Sequence, residues 1–113
     1  MGDSMYPKMT AEISRKRREL TPDQSEAFKQ FNKAVFAEGA LDVKTKQIIA
    51  VAVAHVTQCP YCIHGHVDGA KNAGATDQEL MEAIWVAAEM RAGGAFAHSA
   101  LTLDRLMKRE NNE

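Results

Sequence analysis

The sequence predicts an all-α fold, a single-domain bundle of about five to six helices, on three observations. Wherever apolar residues recur with a period, the period is helical, helix-start signals precede these stretches, and the connections between them are short. Alanine is abundant and aromatic residues make up only 6% of the chain, a composition suited to closely packed helices. The 113 residues suffice for one domain near the small end of what buries its own core. A formal net charge of -1 gives no global electrostatic case for nucleic acid or an anionic membrane.

Residues 1–20 show no clear period and are expected to form an N-terminal arm, extended or partly ordered, with room for one helical turn around Ile13 to Arg18. The basic run Arg15-Lys16-Arg17-Arg18 is short and balanced by Glu12 and Glu19, so it is expected to be a solvated turn or helix end. The helical domain is taken to run over 21–113. Thr21-Pro22-Asp23 reads as its first helix start: a capping hydroxyl, proline at the first helical position, and an acid in the first turn. Phe28, Phe31 and Val35 form that helix's apolar stripe, read as ordinary core, and Gly39 is expected to end it.

Asp42 can cap a second helix over Val43 to Thr57. The alanines at 50, 52 and 54 and the total length favour a buried central helix over a strand. Gln47, Val51, Ala54 and Gln58 share one stripe of it. A third helix starts at Cys59-Pro60 and runs to Ala73, before Gly74. Thr76-Asp77-Gln78-Glu79 is a capping box. It opens a helix with Leu80, Met81, Ile84, Trp85 and Ala88 on its core stripe, and Gly93-Gly94 is expected to end that helix. A last helix, about Ala95 to Lys108, places Phe96, Ala100, Leu103 and Met107 on one face and His98, Leu101 and Arg105 off it. That second, partly apolar side and the almost wholly apolar central helix predict a homo-oligomer.

Met1 to Thr10 is polar, without the apolar region of a signal peptide. The longest apolar run, Ile48 to Val56 broken by His55, is far short of the ~20 residues a membrane span needs. No membrane association and a cytoplasmic location are therefore expected. In that compartment a lone C-x-x-C pair serves catalysis or metal binding more often than it serves as a staple.

The only two cysteines stand in Cys59-Pro60-Tyr61-Cys62-Ile63-His64-Gly65-His66. On a helix, positions 59, 62 and 66 fall within one narrow sector, with Ala70 and Ala73 continuing the inner face. His64, Asp68 and Lys71 fall on the opposite, polar face. A thiol at a helix N-terminus meets unpaired backbone N–H groups and the positive end of the dipole, both of which favour the nucleophilic thiolate. The spacing lets the two sulfurs close a disulfide without unwinding the helix. His66, one turn beyond Cys62, can take or relay a proton. Cys62, at i, i+4 to His66, is the candidate for attack and Cys59 for resolution, although thioredoxin-type sites use the first cysteine and spacing alone leaves the order open. The competing reading is zinc, held by Cys59, Cys62 and His66 with His55 or His98 as fourth ligand. Structural zinc in a small domain usually draws on two separated knuckles, and no second cluster is present.

Leu41-Asp42-x-Lys44-Thr45-Lys46-x-Ile48-Ile49-Ala50-x-Ala52-Val53-Ala54, followed by Cys59-x-Tyr61-Cys62-Ile63-x-x-His66, resembles the carboxymuconolactone decarboxylase family in its alkylhydroperoxidase D-like branch. Ala73-Gly74-Ala75-Thr76-x-x-Glu79-Leu80 and Gly93-Gly94 extend the likeness over about residues 25 to 107. The resemblance implies an all-helical protein that assembles as a trimer or hexamer. It also implies reduction of small hydroperoxides by the cysteine pair, with no tightly bound cofactor and with re-reduction by an external dithiol, such as a lipoyl group or a dithiol protein. The family pattern places a proton-relay glutamate twelve residues before the first cysteine. Here that position is Gln47, whose amide accepts hydrogen bonds but no proton at neutral pH. Tyr61 stands where alkylhydroperoxidase D has a histidine. His55, on the helix of Gln47, offers a second imidazole. Cys62, Cys59, His66 and Gln47 are thus the expected catalytic set of a thiol-dependent peroxidase or disulfide reductase. The alternatives are a non-catalytic oligomeric module that senses oxidation or binds metal, and a lyase related to the decarboxylase.

Overall fold

The computed structural model describes residues 5–112. Five helices follow one another: α1 (Ala11–Leu20), α2 (Pro22–Phe36), α3 (Val43–Thr57), α4 (Pro60–Asn72) and α5 (Asp77–Glu110). No strand occurs among the described residues, so the all-α expectation holds. The first four residues of the expected arm lie outside the described residues. α3 is the centre, packed along both α4 and α5, while α2 touches α3 over a small area and α1 packs on α2.

Three helix starts follow from local chemistry. The Asp42 carboxylate accepts the Thr45 N–H at 2.8 Å and caps α3. Thr45, through its hydroxyl and then its backbone N–H, holds that carboxyl below the usual aspartate range. At α5 both arms of the capping box are made: Glu79 N–H to Thr76 Oγ1 at 3.0 Å, and Thr76 N–H to Glu79 Oε1 at 2.9 Å. The Thr76 N–H, followed by Lys44, keeps the Glu79 carboxyl low. Cys59 caps α4, and Pro60 follows where its missing N–H costs nothing.

Four details of where helices start and end differ from the sequence reading. Residues 11–20 form a complete helix, capped by Thr10 and matched to its dipole by Glu12 at the start and Arg17 and Arg18 at the end. No residue of it is buried, so no apolar period announced it. Thr21 makes no side-chain cap for α2, because its hydroxyl donates to the Arg17 carbonyl at 2.9 Å and closes α1 instead. α2 ends at Phe36 rather than Gly39, where the Lys46 ammonium donates to the carbonyls of Val35 (2.8 Å) and Ala37 (2.6 Å). Gly93-Gly94 does not break the chain, and α5 runs through it for 34 residues. Two helical glycines cost about 1 kcal/mol each relative to alanine but leave every N–H in place, and no capping side chain precedes them to start a new helix.

The core is small. Val51, Ala70, Ala75 and Leu80 are buried together, with Ile48, Val67 and Ile84 packed around them. The phenylalanine stripe of α2, read as core, is exposed in the single chain, Phe28 at 67% and Phe31 at 63%. Trp85 at 67% and Phe96 at 82% are likewise uncovered on α5. α5 alone is about 51 Å long at the standard rise, and its last turns stand clear of the bundle. The radius of gyration is accordingly 19.8 Å, against roughly 13 Å for a compact chain of this length.

Candidate active site

The turn between α3 and α4 sets the site. Gln58 takes a left-handed conformation (φ 61°) and its N–H returns to the Ala54 carbonyl, so the chain reverses in two residues and delivers Cys59 to the start of α4. The Cys59 sulfur accepts the Cys62 N–H at 3.2 Å, the role a serine or aspartate plays in an ordinary cap. Cys59 and Cys62 are paired as a disulfide with their α-carbons 5.2 Å apart. The i, i+3 spacing on one helix end accommodates this bond without unwinding α4.

His66 lies one turn deeper and is half-buried, while His64 is exposed on the far side, as the helix wheel required. Three segments hold the His66 ring. From α3, Gln47 Oε1 lies 2.8 Å from His66 Nδ1. An amide oxygen only accepts, so Nδ1 carries a proton, and in the neutral ring Nε2 then has the lone pair. From the end of α2, the Phe36 ring stacks on the imidazole at 5.0 Å between centroids and 24° between planes. The third is α4 itself. Gln47 is also half-buried, a neutral group that holds the imidazole by hydrogen bonding alone.

Cys62 and His66 line one cavity of about 570 Å³ between the end of α2, α3 and α4. Its walls are apolar, with Phe36, Ile49 and Val53 among them, and Lys46 at its edge. Cys59 is not part of this lining, so of the two sulfurs it is Cys62 that the cavity presents. On the outer side of the motif, the Tyr61 hydroxyl donates to the Pro7 carbonyl at 2.7 Å and Tyr6 packs edge-on against the Tyr61 ring. The tyrosine between the cysteines thus ties the N-terminal segment to α4.

The remaining histidines stand apart. His55 Nδ1–H donates to the Val51 carbonyl at 2.7 Å and His98 Nδ1–H to the Gly94 carbonyl at 2.8 Å, each on its own helix. Neither lines the cavity of Cys62. No three histidine, cysteine, aspartate or glutamate side chains among the described residues converge as a metal-ligating group, and the zinc set of Cys59, Cys62, His66 and a further histidine is not assembled. Sequence reasoning missed Phe36 and Lys46. Lys46 stands within the family-like stretch, which was the signal available; Phe36 had none, since its place depends on how α2 docks.

A small all-helical chain, with a paired Cys59 and Cys62 at the start of one helix and a half-buried histidine one turn on, is the class that fold and site define. The carboxymuconolactone decarboxylase family model matches residues 22–105, and the chain belongs to that family. It is similar to uncharacterized protein 4 in the cox locus of Paracoccus denitrificans, at 58% identity over 88% of both chains. Among solved structures it is similar to a protein of Methanobacterium thermoautotrophicum at 39% identity, covering 74% of this chain and 94% of that one with a TM-score of 0.70. A carboxymuconolactone decarboxylase family protein of Thermotoga maritima, for which an antioxidative role has been suggested, matches at 28% identity over 80% of this chain and 96% of its own, with a TM-score of 0.57. No described helix is long and apolar enough to cross a membrane.

Proposed function

We propose that this protein is a thiol-dependent peroxidase, reduced in turn by an external dithiol. The observation that carries the reading is the pairing of Cys59 with Cys62 where Cys62 and His66 share an apolar cavity. In the reduced protein, the Cys62 thiolate attacks the terminal oxygen of a hydroperoxide. The O–O bond breaks, Cys62 becomes a sulfenic acid, and the alkoxide leaves as alcohol with the proton that His66 took from the thiol. Cys59 then attacks the sulfenic sulfur, the disulfide forms and water departs. A dithiol, oxidised to its own disulfide, restores both thiols. The suggested antioxidative role of the Thermotoga relative is in keeping with this cycle. Hydroperoxide consumption by the purified protein with a dithiol donor tests it, and consumption no faster than donor alone would remove it.

The neutral amide at position 47 sets the strength of the relay. A carboxylate there would receive the His66 Nδ1–H in a charge-assisted bond, about twice as strong as a neutral one, and would stabilise the imidazolium. Gln47→Glu is therefore expected to raise turnover at neutral pH by about three- to tenfold. The histidine-dependent limb of the pH–rate profile should move to higher pH, because the protonated ring persists further. An unchanged rate and profile would separate Gln47 from proton transfer.

The same reading includes a homo-oligomer, with trimer or hexamer as the family-like forms. Exposed Phe28, Phe31, Trp85, Met90 and Phe96, on a chain too extended to cover them, support it. Light scattering at micromolar concentration is expected to return a multiple of the 12.4 kDa chain mass. A monomer under those conditions would refute the assembly.

A further inference from the structure

α4 contains two interior glycines, Gly65 and Gly69, although glycine inside a helix costs about 0.5–1 kcal/mol relative to alanine. Their surroundings differ. A β-carbon built at Gly65 meets nothing within 4 Å. One built at Gly69 would lie 2.7 Å from Gln47 Oε1, 2.9 Å from its Cδ and 3.2 Å from its Nε2. The whole amide of Gln47 therefore rests against the bare backbone of residue 69. The oxygen in closest approach is also the one that accepts His66 Nδ1–H at 2.8 Å.

We propose that Gly69 is a positioning residue for His66, acting through Gln47: its missing side chain makes the space from which the amide fixes the imidazole tautomer. The proposal rests on the reading of His66 as the proton-handling group, but its geometry can be tested without turnover. The three atoms nearest to such a β-carbon all belong to the end of one flexible side chain, that of Gln47. An alanine at 69 therefore displaces the amide and leaves the helix packing in place. Once displaced, the amide no longer holds the Nδ1 proton, and the ring is released to either tautomer. Nε2 then loses its fixed lone pair.

The test compares Gly69→Ala, Gly65→Ala, Gln47→Ala and the double variant Gln47→Ala/Gly69→Ala. Histidine ¹⁵N–¹H NMR reads the tautomer, and alkylation of the reduced protein across pH reads how readily Cys62 gives up its proton. Wild type and Gly65→Ala are expected to show His66 protonated at Nδ1. Gly69→Ala should show a mixture, with Cys62 reactivity at neutral pH lowered about three- to tenfold, the scale of one lost hydrogen bond. Its melting temperature should be equal or higher, because alanine is the better helix former. In the Gln47→Ala background, alanine at 69 should have no further effect. Three results would each overturn the proposal: a wild-type tautomer in Gly69→Ala, unfolding of that variant, or an additional loss in the double variant. If wild type consumes no hydroperoxide while the tautomer still shifts, the peroxidase reading fails and the positioning role stands.

Discussion

Replacement of Cys62 by serine is expected to lower hydroperoxide turnover with a dithiol donor on the order of a thousandfold or more, to the level of donor alone. A serine hydroxyl does not ionise near neutral pH, and no second thiol is among the residues lining the apolar cavity beside His66. The effect should not be one of stability. Cys62 is only half-buried, and the cap of α4 is made by the sulfur of Cys59 on the N–H of residue 62, which serine retains. Thermal unfolding of the reduced variant should thus match that of the reduced wild type. Cys59→Ser separates the two steps: the first attack on peroxide persists and a sulfenic acid accumulates, while cycling with the dithiol stops. Equal rates for wild type and Cys62→Ser would assign any peroxide consumption to something other than this site.

The largest effect on folding is expected at Val51. It is 0% exposed and is the one side chain of its size so fully enclosed among the described residues. It packs in the cluster of Ala70, Ala75 and Leu80, where α4, the turn after it and α5 meet α3. With so few buried groups, the bundle has little to compensate for a loss there. Val51→Ala should lower stability by roughly 2 kcal/mol, from two lost methyl groups and the cavity they leave. Val51→Asp places a carboxylate in the same enclosure with no cation within the cluster. The cost is several kcal/mol against a total that rarely exceeds about 15 kcal/mol in a small domain. Circular dichroism is expected to show loss of the cooperative transition in Val51→Asp. A melt within a few degrees of wild type would place the core elsewhere.

How much the sequence disclosed depended on how local the determinant was. The starts of α3, α4 and α5 were legible because each is written within four residues: Asp42 with Thr45, Cys59 with Pro60, Thr76 with Glu79. The placement of Cys62 and His66 on one side of α4, with His64 exposed away from them, followed from helical spacing alone. Gln47 entered only through family likeness, because nothing local joins residues 47 and 66. α1 was hidden, since its caps and end charges leave no apolar trace. The aromatic stripes of α2 and α5 were visible as stripes, but where they would be covered was not, because periodicity reports a face and not its partner. Phe36 against His66, Lys46 on the end of α2 and Gly69 beneath Gln47 are all contacts between distant segments, so they became readable only after the chain had folded.

The attachment of α2 has a mechanical consequence for the site. The first two helices meet the rest of the protein over a small area, and within it Lys46 bridges two carbonyls while Phe36 lies on His66. One wall of the cavity, formed by Val35 and Phe36 at the end of α2, is therefore held by these few contacts and not by the buried cluster. The next residue after that lysine is Gln47, which holds His66 Nδ1 while Phe36 lies on the face of the ring. A change that loosens the Lys46 contacts would therefore bear on that cavity wall and on the stacking against His66 together.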